Sequence, residues 1–289
     1  MKDLDISAMF RTLISSKTLA DNIDNPDWII VDCRYDLADP AAGRQAYLSG
    51  HIPGAVFADI HDDLSGPPET DRGRHPLPAA EQLQSLFRRL GINNDSQVIV
   101  YDSNGGAFAG RLWWLLRYMN HPAVALLDGG WPAWIATGGT SARGRQHNSP
   151  GHFTGTARRD WLVTVSDIPA GPVLIDSRDA ARYRGDEEPI DKVAGHIPGA
   201  LNRPWKTNLD DQGYFKPAAQ LHGEFEQLLQ GQEPASAVFY CGSGVTACHN
   251  LLAAVHAGLS MPRLYAGSWS DWCSDPSRPV ARGNSPGTL

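Results

Sequence analysis

Short, continuously apolar runs alternate along the chain with longer segments of helical periodicity. Trp28-Ile29-Ile30-Val31-Asp32-Cys33-Arg34 and Val173-Leu174-Ile175-Asp176-Ser177-Arg178 are apolar until they end in polar residues. Gln97-Val98-Ile99-Val100-Tyr101-Asp102 and Ser236-Ala237-Val238-Phe239-Tyr240-Cys241 follow the same plan. Runs without polar alternation are expected of strands covered on both faces in a parallel sheet. Helical spacing predicts one helix over 79–90 stopped by Gly91, and another over 218–229 stopped by Gly231. A further helix through 111–118 ends before Pro122. Strands alternating with helices predict an α/β fold with helices on both faces of each sheet.

The pattern is written twice. Gly50-His51-Ile52-Pro53-Gly54-Ala55 recurs letter for letter at Gly195–Ala200, an offset of 145. Ile29–Arg34 answers Val173–Arg178, Val98–Asp102 answers Ala237–Cys241, and Leu127–Trp134 answers Tyr265–Trp272, with offsets of 144, 139 and 138. Collinear matches with a slowly drifting offset indicate one duplicated domain. The expected organisation is 1–140 for the first domain, 141–160 for a Gly-, Ser- and Arg-rich linker, and 161–289 for the second.

Composition narrows the function classes. The 289 residues carry a net charge of −7 and no Lys/Arg block, so no footprint for a nucleic-acid backbone is present and no nucleic-acid partner is expected. No apolar run reaches the ~20 residues of a membrane span, so no membrane partner and a cytoplasmic location are expected. Four cysteines, none in a C-x-x-C pair, suit neither a disulfide framework nor a zinc site, and no metal or cofactor is expected.

The copies differ where a parallel strand delivers its last residue to a glycine-rich turn, the place where open α/β sheets put ligands. In the first copy that residue is Asp102; in the second it is Cys241, followed by Gly242-Ser243-Gly244-Val245-Thr246-Ala247. Val245, Leu251, Leu252 and Val255 then form an apolar helical stripe that places Cys241 just before a helix N-terminus. Unpaired amides and the positive helix end favour thiolate over thiol in general. The glycines permit close approach of backbone to whatever is bonded to the sulfur. Three rival readings of the turn are weaker. The G-x-G-x-x-A pattern lacks the distant acidic residue of a dinucleotide site. A cysteine phosphatase requires C-x5-R, and Ala247 stands in the arginine position. A G-x-S-x-G serine nucleophile is missing its first glycine.

The duplicated Gly-His-Ile-Pro-Gly-Ala, the Asp-x-Arg strand ends, Cys241-Gly-Ser-Gly-Val-Thr-Ala and the Gly-x-Trp-x-x-Trp endings together resemble the tandem-domain rhodanese/3-mercaptopyruvate sulfurtransferase family. The resemblance covers nearly the whole chain. It implies two rhodanese-like α/β domains, each a mostly parallel sheet flanked by helices, with the catalytic cysteine in the second. It also implies transfer of a sulfane sulfur through a Cys241 persulfide to cyanide, a thiol or a thioredoxin-like protein, in two half-reactions. Backbone N–H groups of Gly242, Ser243, Gly244, Val245 and Thr246 would cradle the transferred sulfur.

The identity of the donor divides the motifs. A Gly-Ser-Gly loop is the form that accompanies mercaptopyruvate, and Arg182 matches the family arginine that grips the donor's charged end. The second arginine of that branch is missing, because Glu188-Pro189 is followed by Ile190, Asp191 and Lys192, as in the thiosulfate branch. Mercaptopyruvate is the leading donor. Thiosulfate:cyanide sulfur transfer is the alternative, and a non-catalytic binding module is the reading from another class. His75 matches a family histidine that joins Ser243 to an aspartate in a relay. The aspartate position itself reads His61, which leaves Asp62 or Asp63 as the relay carboxylate. Arg72 and Arg74 read as solvated loop arginines, and Tyr35 and Phe108 match aromatic wall positions. His51 and His196 read as structural because both copies keep them. The paired tryptophans and Cys248 read as core, and Cys273 as a site of incidental oxidation.

Overall fold

The computed structural model describes residues 9–67 and 73–288. The chain divides into two compact units: Met1–Leu64, Pro78–Arg158 and Asp211–Phe215 form the first, while Ser65–Leu77, Arg159–Asp210 and Lys216–Leu289 form the second. Among the described residues no helix is long and apolar enough to cross a membrane.

The first unit runs β1 (Leu13–Ile14), α1 (Ser16–Ala20), β2 (Trp28–Asp32), α2 (Ala42–Ser49), β3 (Val56–Phe57), α3 (Ala80–Arg89), β4 (Gln97–Tyr101), α4 (Ala109–Tyr118), β5 (Val124–Leu127) and α5 (Gly130–Ala136). The second contains β6 (Leu162–Val163), β7 (Leu174–Asp176), α6 (Ala180–Arg184), β8 (Leu201–Asn202), α7 (Ala218–Leu229), β9 (Val238–Tyr240), α8 (Ala247–His256), β10 (Arg263–Tyr265) and α9 (Ser268–Trp272). Strand order is β1-β5-β4-β2-β3 in one sheet and β6-β10-β9-β7-β8 in the other. Every strand pairing is parallel. Because each central strand is covered on both sides, Val98, Ile99, Val100, Val238 and Phe239 are all fully buried.

The repeated motifs build the same joint twice. Arg34 forks onto the Asp32 carboxylate and reaches Gly50 O; Arg178 forks onto Asp176 and reaches Gly195 O. Each guanidinium lies 4.7 Å from a ring centroid, Trp131 in one unit and Trp269 in the other. His51 Nδ1 bonds Tyr47 O at 2.8 Å, and His196 Nδ1 bonds Tyr183 O at 2.7 Å, each imidazole stacked on that tyrosine. These buried ion pairs and rings tie the second strand of each sheet to the Gly-His-Ile-Pro-Gly-Ala turn. Such pairing specifies geometry more than it adds stability.

The helices end where the sequence predicts: α4 stops at Tyr118, with Asn120 at φ +64 ahead of Pro122, and α7 stops at Leu229, with Gln230 at φ +49 before Gly231. The 141–160 segment does not hang free through 158. His51 and Ala142 form an antiparallel bridge, Gly151 N–H donates to Arg88 O, and Phe153, 1% exposed, packs edge-on against Phe87. One buried aromatic is enough to fasten a segment whose composition otherwise reads as linker. Finally, Ser65–Leu77, which precedes α3 in the first repeat, belongs to the second unit.

Candidate active site

Cys241 follows β9 directly and is 2% exposed. Its N–H donates to Ser268 Oγ at 3.1 Å, and that hydroxyl donates to Tyr265 O at 2.9 Å. Its carbonyl accepts from Trp269 N–H at 3.0 Å, and Gly242 O accepts from Ser270 N–H at 2.9 Å. The start of α9 therefore clamps the backbone of the cysteine from one side. Ser268 sits at φ +57, in the left-handed region where non-glycine residues are strained. Gly130 occupies the matching position of the first copy, also at φ +57. Serine in this place supplies the hydroxyl that holds Cys241 N–H.

The loop then turns through Gly244 at φ +77, where a Cβ would be driven into the carbonyl of Ala266. A Cβ on Gly242 would stand 3.0 Å from Arg74 Nη2 and 3.5 Å from Arg182 Nη1. Absence of side chains at these two positions lets the loop fold back and lets two guanidinium groups approach it.

The first copy reveals what such a loop holds. Asp102 accepts from Asn104 N–H (2.7 Å) and Gly106 N–H (2.9 Å) on Oδ1, and from Phe108 N–H (2.8 Å) and Ala109 N–H (2.9 Å) on Oδ2. The matching donors of the second copy are Ser243, Val245, Ala247 and Cys248. Cys248 N–H donates to Val245 O. Among the described residues no acceptor takes the N–H groups of Ser243, Val245 or Ala247. Where the first loop is filled by its own carboxylate, the second leaves these three amides beside Cys241 without a protein acceptor among the described residues.

Ser243 Oγ and His75 Nδ1 share a hydrogen bond of 2.7 Å, both residues being buried. Arg74 N–H donates to Ser270 Oγ at 3.1 Å, and Gly73 lies against the Gly267 carbonyl. Residues 73–75 are thus seated on the α9 turn, within the unit that carries the cysteine. Asp62 and Asp63 belong to the first unit. There Asp62 faces Arg44 at 3.6 Å, while Asp63 pairs with Arg89 and accepts Asp59 N–H at 2.9 Å.

Arg182 donates to Glu188 from Nε (3.2 Å) and Nη2 (2.7 Å), and from Nη2 to Asp191 (3.1 Å). Glu188 Oε1 also accepts Ile190 N–H and Asp191 N–H, and its Oε2 accepts from Arg178. Arg74 bonds the other oxygen of Asp191. Contrary to its reading as a solvated loop residue, Arg74 is two-thirds buried, since a carboxylate partner and the α9 turn hold it in place. Burial and the adjacent Arg182 push its guanidinium below the usual value, while Cys241 and Glu188 pull it upward. Arg72 lies outside the described residues.

Cys248 Sγ is buried against Gly244 O at 3.3 Å, and burial raises the thiols of Cys33 and Cys273. Tyr35 and Phe108 pack edge-on at 5.3 Å inside the first unit, and Trp113, Trp114, Trp134, Trp269 and Trp272 are core residues. Ser268 and Asp191 hold site residues in ways that no motif of the sequence assigns to them. The signal for Ser268 was present, because Gly130 of the first copy is answered by a serine. Asp191 and Arg74 are brought together across 117 residues, which no local pattern announces.

Comparison with known proteins agrees with this geometry. The model of the Rhodanese-like domain matches residues 15–137 and again 164–275. A probable 3-mercaptopyruvate sulfurtransferase of Pseudomonas aeruginosa is 46% identical over 94% of this chain and 98% of its own length. A putative thiosulfate sulfurtransferase, SseB, of Mycobacterium tuberculosis is 41% identical over 96% of this chain and 99% of its own. The solved 3-mercaptopyruvate sulfurtransferase from Leishmania major superimposes with a TM-score of 0.82 at 31% identity, covering 90% of this chain and 73% of that one. Matched over both repeats and along nearly its full length, the chain belongs to the rhodanese-like family, with two such domains in tandem.

Proposed function

We propose that this protein is a sulfurtransferase that takes the thiol sulfur of 3-mercaptopyruvate onto Cys241, where it becomes the sulfane sulfur of a persulfide, and passes it to a thiol, to cyanide or to a thioredoxin-like acceptor. The observation that carries this reading is the set of loop amides left without acceptors around Cys241, at the place where the first copy holds the Asp102 carboxylate. In the first half-reaction the Cys241 thiolate attacks the donor's sulfur. The donor's carbon–sulfur bond breaks, its electron pair passes to the carbon as the enolate of pyruvate, and protonation at that carbon gives pyruvate. The Ser243–His75 pair is suited to deliver that proton, and the amides of Ser243, Val245 and Ala247 to stabilise charge on the transferred sulfur. In the second half-reaction the acceptor attacks the outer sulfur and Cys241 leaves as thiolate. Arg182 would orient the donor carboxylate. The relay carboxylate remains assigned to Asp62 or Asp63 only by the sequence pattern.

Thiosulfate is the second reading, supported by Ile190-Asp191-Lys192 and by the relatives that carry that name. Against it, Asp176, Glu188 and Asp191 balance Arg178, Arg182 and Arg74, so the cluster brings no surplus positive charge to a dianion. A cytoplasmic site of action fits the absence of a membrane-length helix among the described residues. Intact mass tests the proposal: incubation with mercaptopyruvate should add one sulfur to the native chain and none to Cys241→Ser. No adduct from mercaptopyruvate or from thiosulfate would end the enzyme reading; an adduct from thiosulfate alone would reassign the donor.

A further inference from the structure

A cavity of about 380 Å³ is lined only by residues of the first unit. Tyr47, Val56 and Leu90 are buried core residues and form its floor, with Phe57 beside them. Residues 145–148 form a wall that backbone and side-chain bonds fasten in place. Gln146 N–H donates to Tyr47 Oη at 3.0 Å, Asn148 Nδ2 donates to Leu90 O at 2.9 Å, and Gly144 N–H donates to Leu48 O at 2.9 Å. Three arginines complete the lining. Arg44 stands 5.0 Å from the Phe57 ring centroid and 3.6 Å from the Asp62 carboxylate, and Arg89 pairs with Asp63. The other oxygen of Asp63 accepts Asp59 N–H. Arg145 is exposed and, among the described residues, has no carboxylate partner. Three guanidinium groups face two carboxylates, which leaves one positive charge uncompensated.

The second copy shows that the fold does not require this charge. Tyr183 stacks on His196 as Tyr47 does on His51, which puts Ala180 in the place of Arg44. Leu221 and Phe225 of α7 answer Leu83 and Phe87 of α3, all four fully buried, which puts Gln227 in the place of Arg89. Gly283 N–H donates to Arg184 O as Gly144 N–H does to Leu48 O, which puts Asn284 in the place of Arg145. One scaffold carries arginine at all three positions in one copy and a neutral side chain at all three in the other.

We infer that this cavity is a binding site for a small aromatic anion of single charge, a ring carboxylate or ring sulfonate. Its volume is in the range of small-molecule sites. An inorganic ion would leave the apolar floor in water, whereas a flat ring covers it and lies against Phe57 and the planar Arg44 guanidinium. A neutral ring would take Arg145 out of water and give it no acceptor, and a dianion would meet the Asp62 and Asp63 carboxylates. A ring with one charged head suits both the floor and the uncompensated charge.

The full chain is titrated with 8-anilinonaphthalene-1-sulfonate, an aromatic monoanion whose fluorescence rises when it leaves water. One saturable site is expected, its stoichiometry read by calorimetry. Arg145→Gln and Arg44→Gln should each weaken binding about tenfold, the loss typical of a hydrogen bond to a charged group. Leu48→Glu, which sets a negative charge at the rim, should weaken it as well. Arg143→Gln, an equal change of charge outside the lining, should leave it unaltered. All four substituted residues are exposed, so the variants keep the fold. N-phenyl-1-naphthylamine, the same rings without the sulfonate, should bind at least tenfold more weakly. Absence of a saturable site, an affinity that none of the three cavity variants moves, or equal binding of the neutral amine overturns the inference. A loss in Arg143→Gln equal to that in Arg145→Gln does so too, since it would report overall charge and not the cavity.

Discussion

Replacing Asp102 by asparagine measures how strongly this type of loop holds an anion. Asp102 is 1% exposed and takes four backbone N–H groups at 2.7–2.9 Å. Asparagine keeps the shape but offers a single acceptor oxygen. With that oxygen toward the buried Phe108 and Ala109 amides, the side-chain NH2 faces Asn104 and Gly106, donor against donor. Asn104 is exposed and can turn to water, whereas Gly106 is buried and keeps an unsatisfied N–H. Stranding one buried donor costs about 1–3 kcal/mol, and the surviving bonds lose their charge assistance. The expected destabilisation is about 2–4 kcal/mol. Urea unfolding followed by tryptophan fluorescence should show a lower midpoint at unchanged slope for the transition of the first unit. Sulfur loading on Cys241, measured by mass in the cold, should persist, since Asp102 lies in the first unit and Cys241 in the second. The converse variant, Cys241→Asp, should lose loading and gain stability by supplying a carboxylate to the amides of Ser243, Val245 and Ala247. A change of less than about 0.5 kcal/mol in Asp102→Asn would mean that the loop amides are as well satisfied by water. The argument for an anion cradle around Cys241 would then fall.

Two further perturbations probe the scaffold. Burial lowers His121 from 6.5 to about 4. Because the folded value lies below the unfolded one, its contribution is present above pH 6.5, declines as pH falls through this window and is lost below about 4, a change of about 3 kcal/mol. Urea midpoints at pH 7.5 and 4.5 should therefore converge in His121→Gln, and an equal gap in both proteins would exclude this histidine as the source. Phe153→Ala should cost about 3–5 kcal/mol and speed amide exchange through 141–158, because its ring is the apolar anchor of that segment. Unchanged exchange there would show that the backbone bonds alone suffice.

The sequence made the architecture readable for a specific reason. Buried parallel strands such as Val98–Tyr101 and Val238–Tyr240 must be apolar throughout, and duplication allowed each to be checked against its partner. The exchange of Asp102 for Cys241 located the loop, and the Arg182 position was legible by family pattern. The placement of Arg74 was not. A lone arginine in a loop carries no periodicity, and its position depends on Asp191 and Ser270, residues far along the chain. The packing of residues 141–158 is hidden for a similar reason, since glycine and serine describe the flexibility of a segment before Phe153 finds a place to bury.

The bond from Arg74 N–H to Ser270 Oγ spans 196 residues. At roughly 5–20 residues per second of synthesis, Arg74 leaves the ribosome some 10–40 s before its partner exists. Once β5 (Val124–Leu127) has followed, the first sheet has all its strands, while residues 73–75 still have nowhere to dock. A nascent chain can therefore have its first domain formed well before residues 73–75 are seated on the turn beside Cys241, and sulfur chemistry waits for the last quarter of translation to be finished.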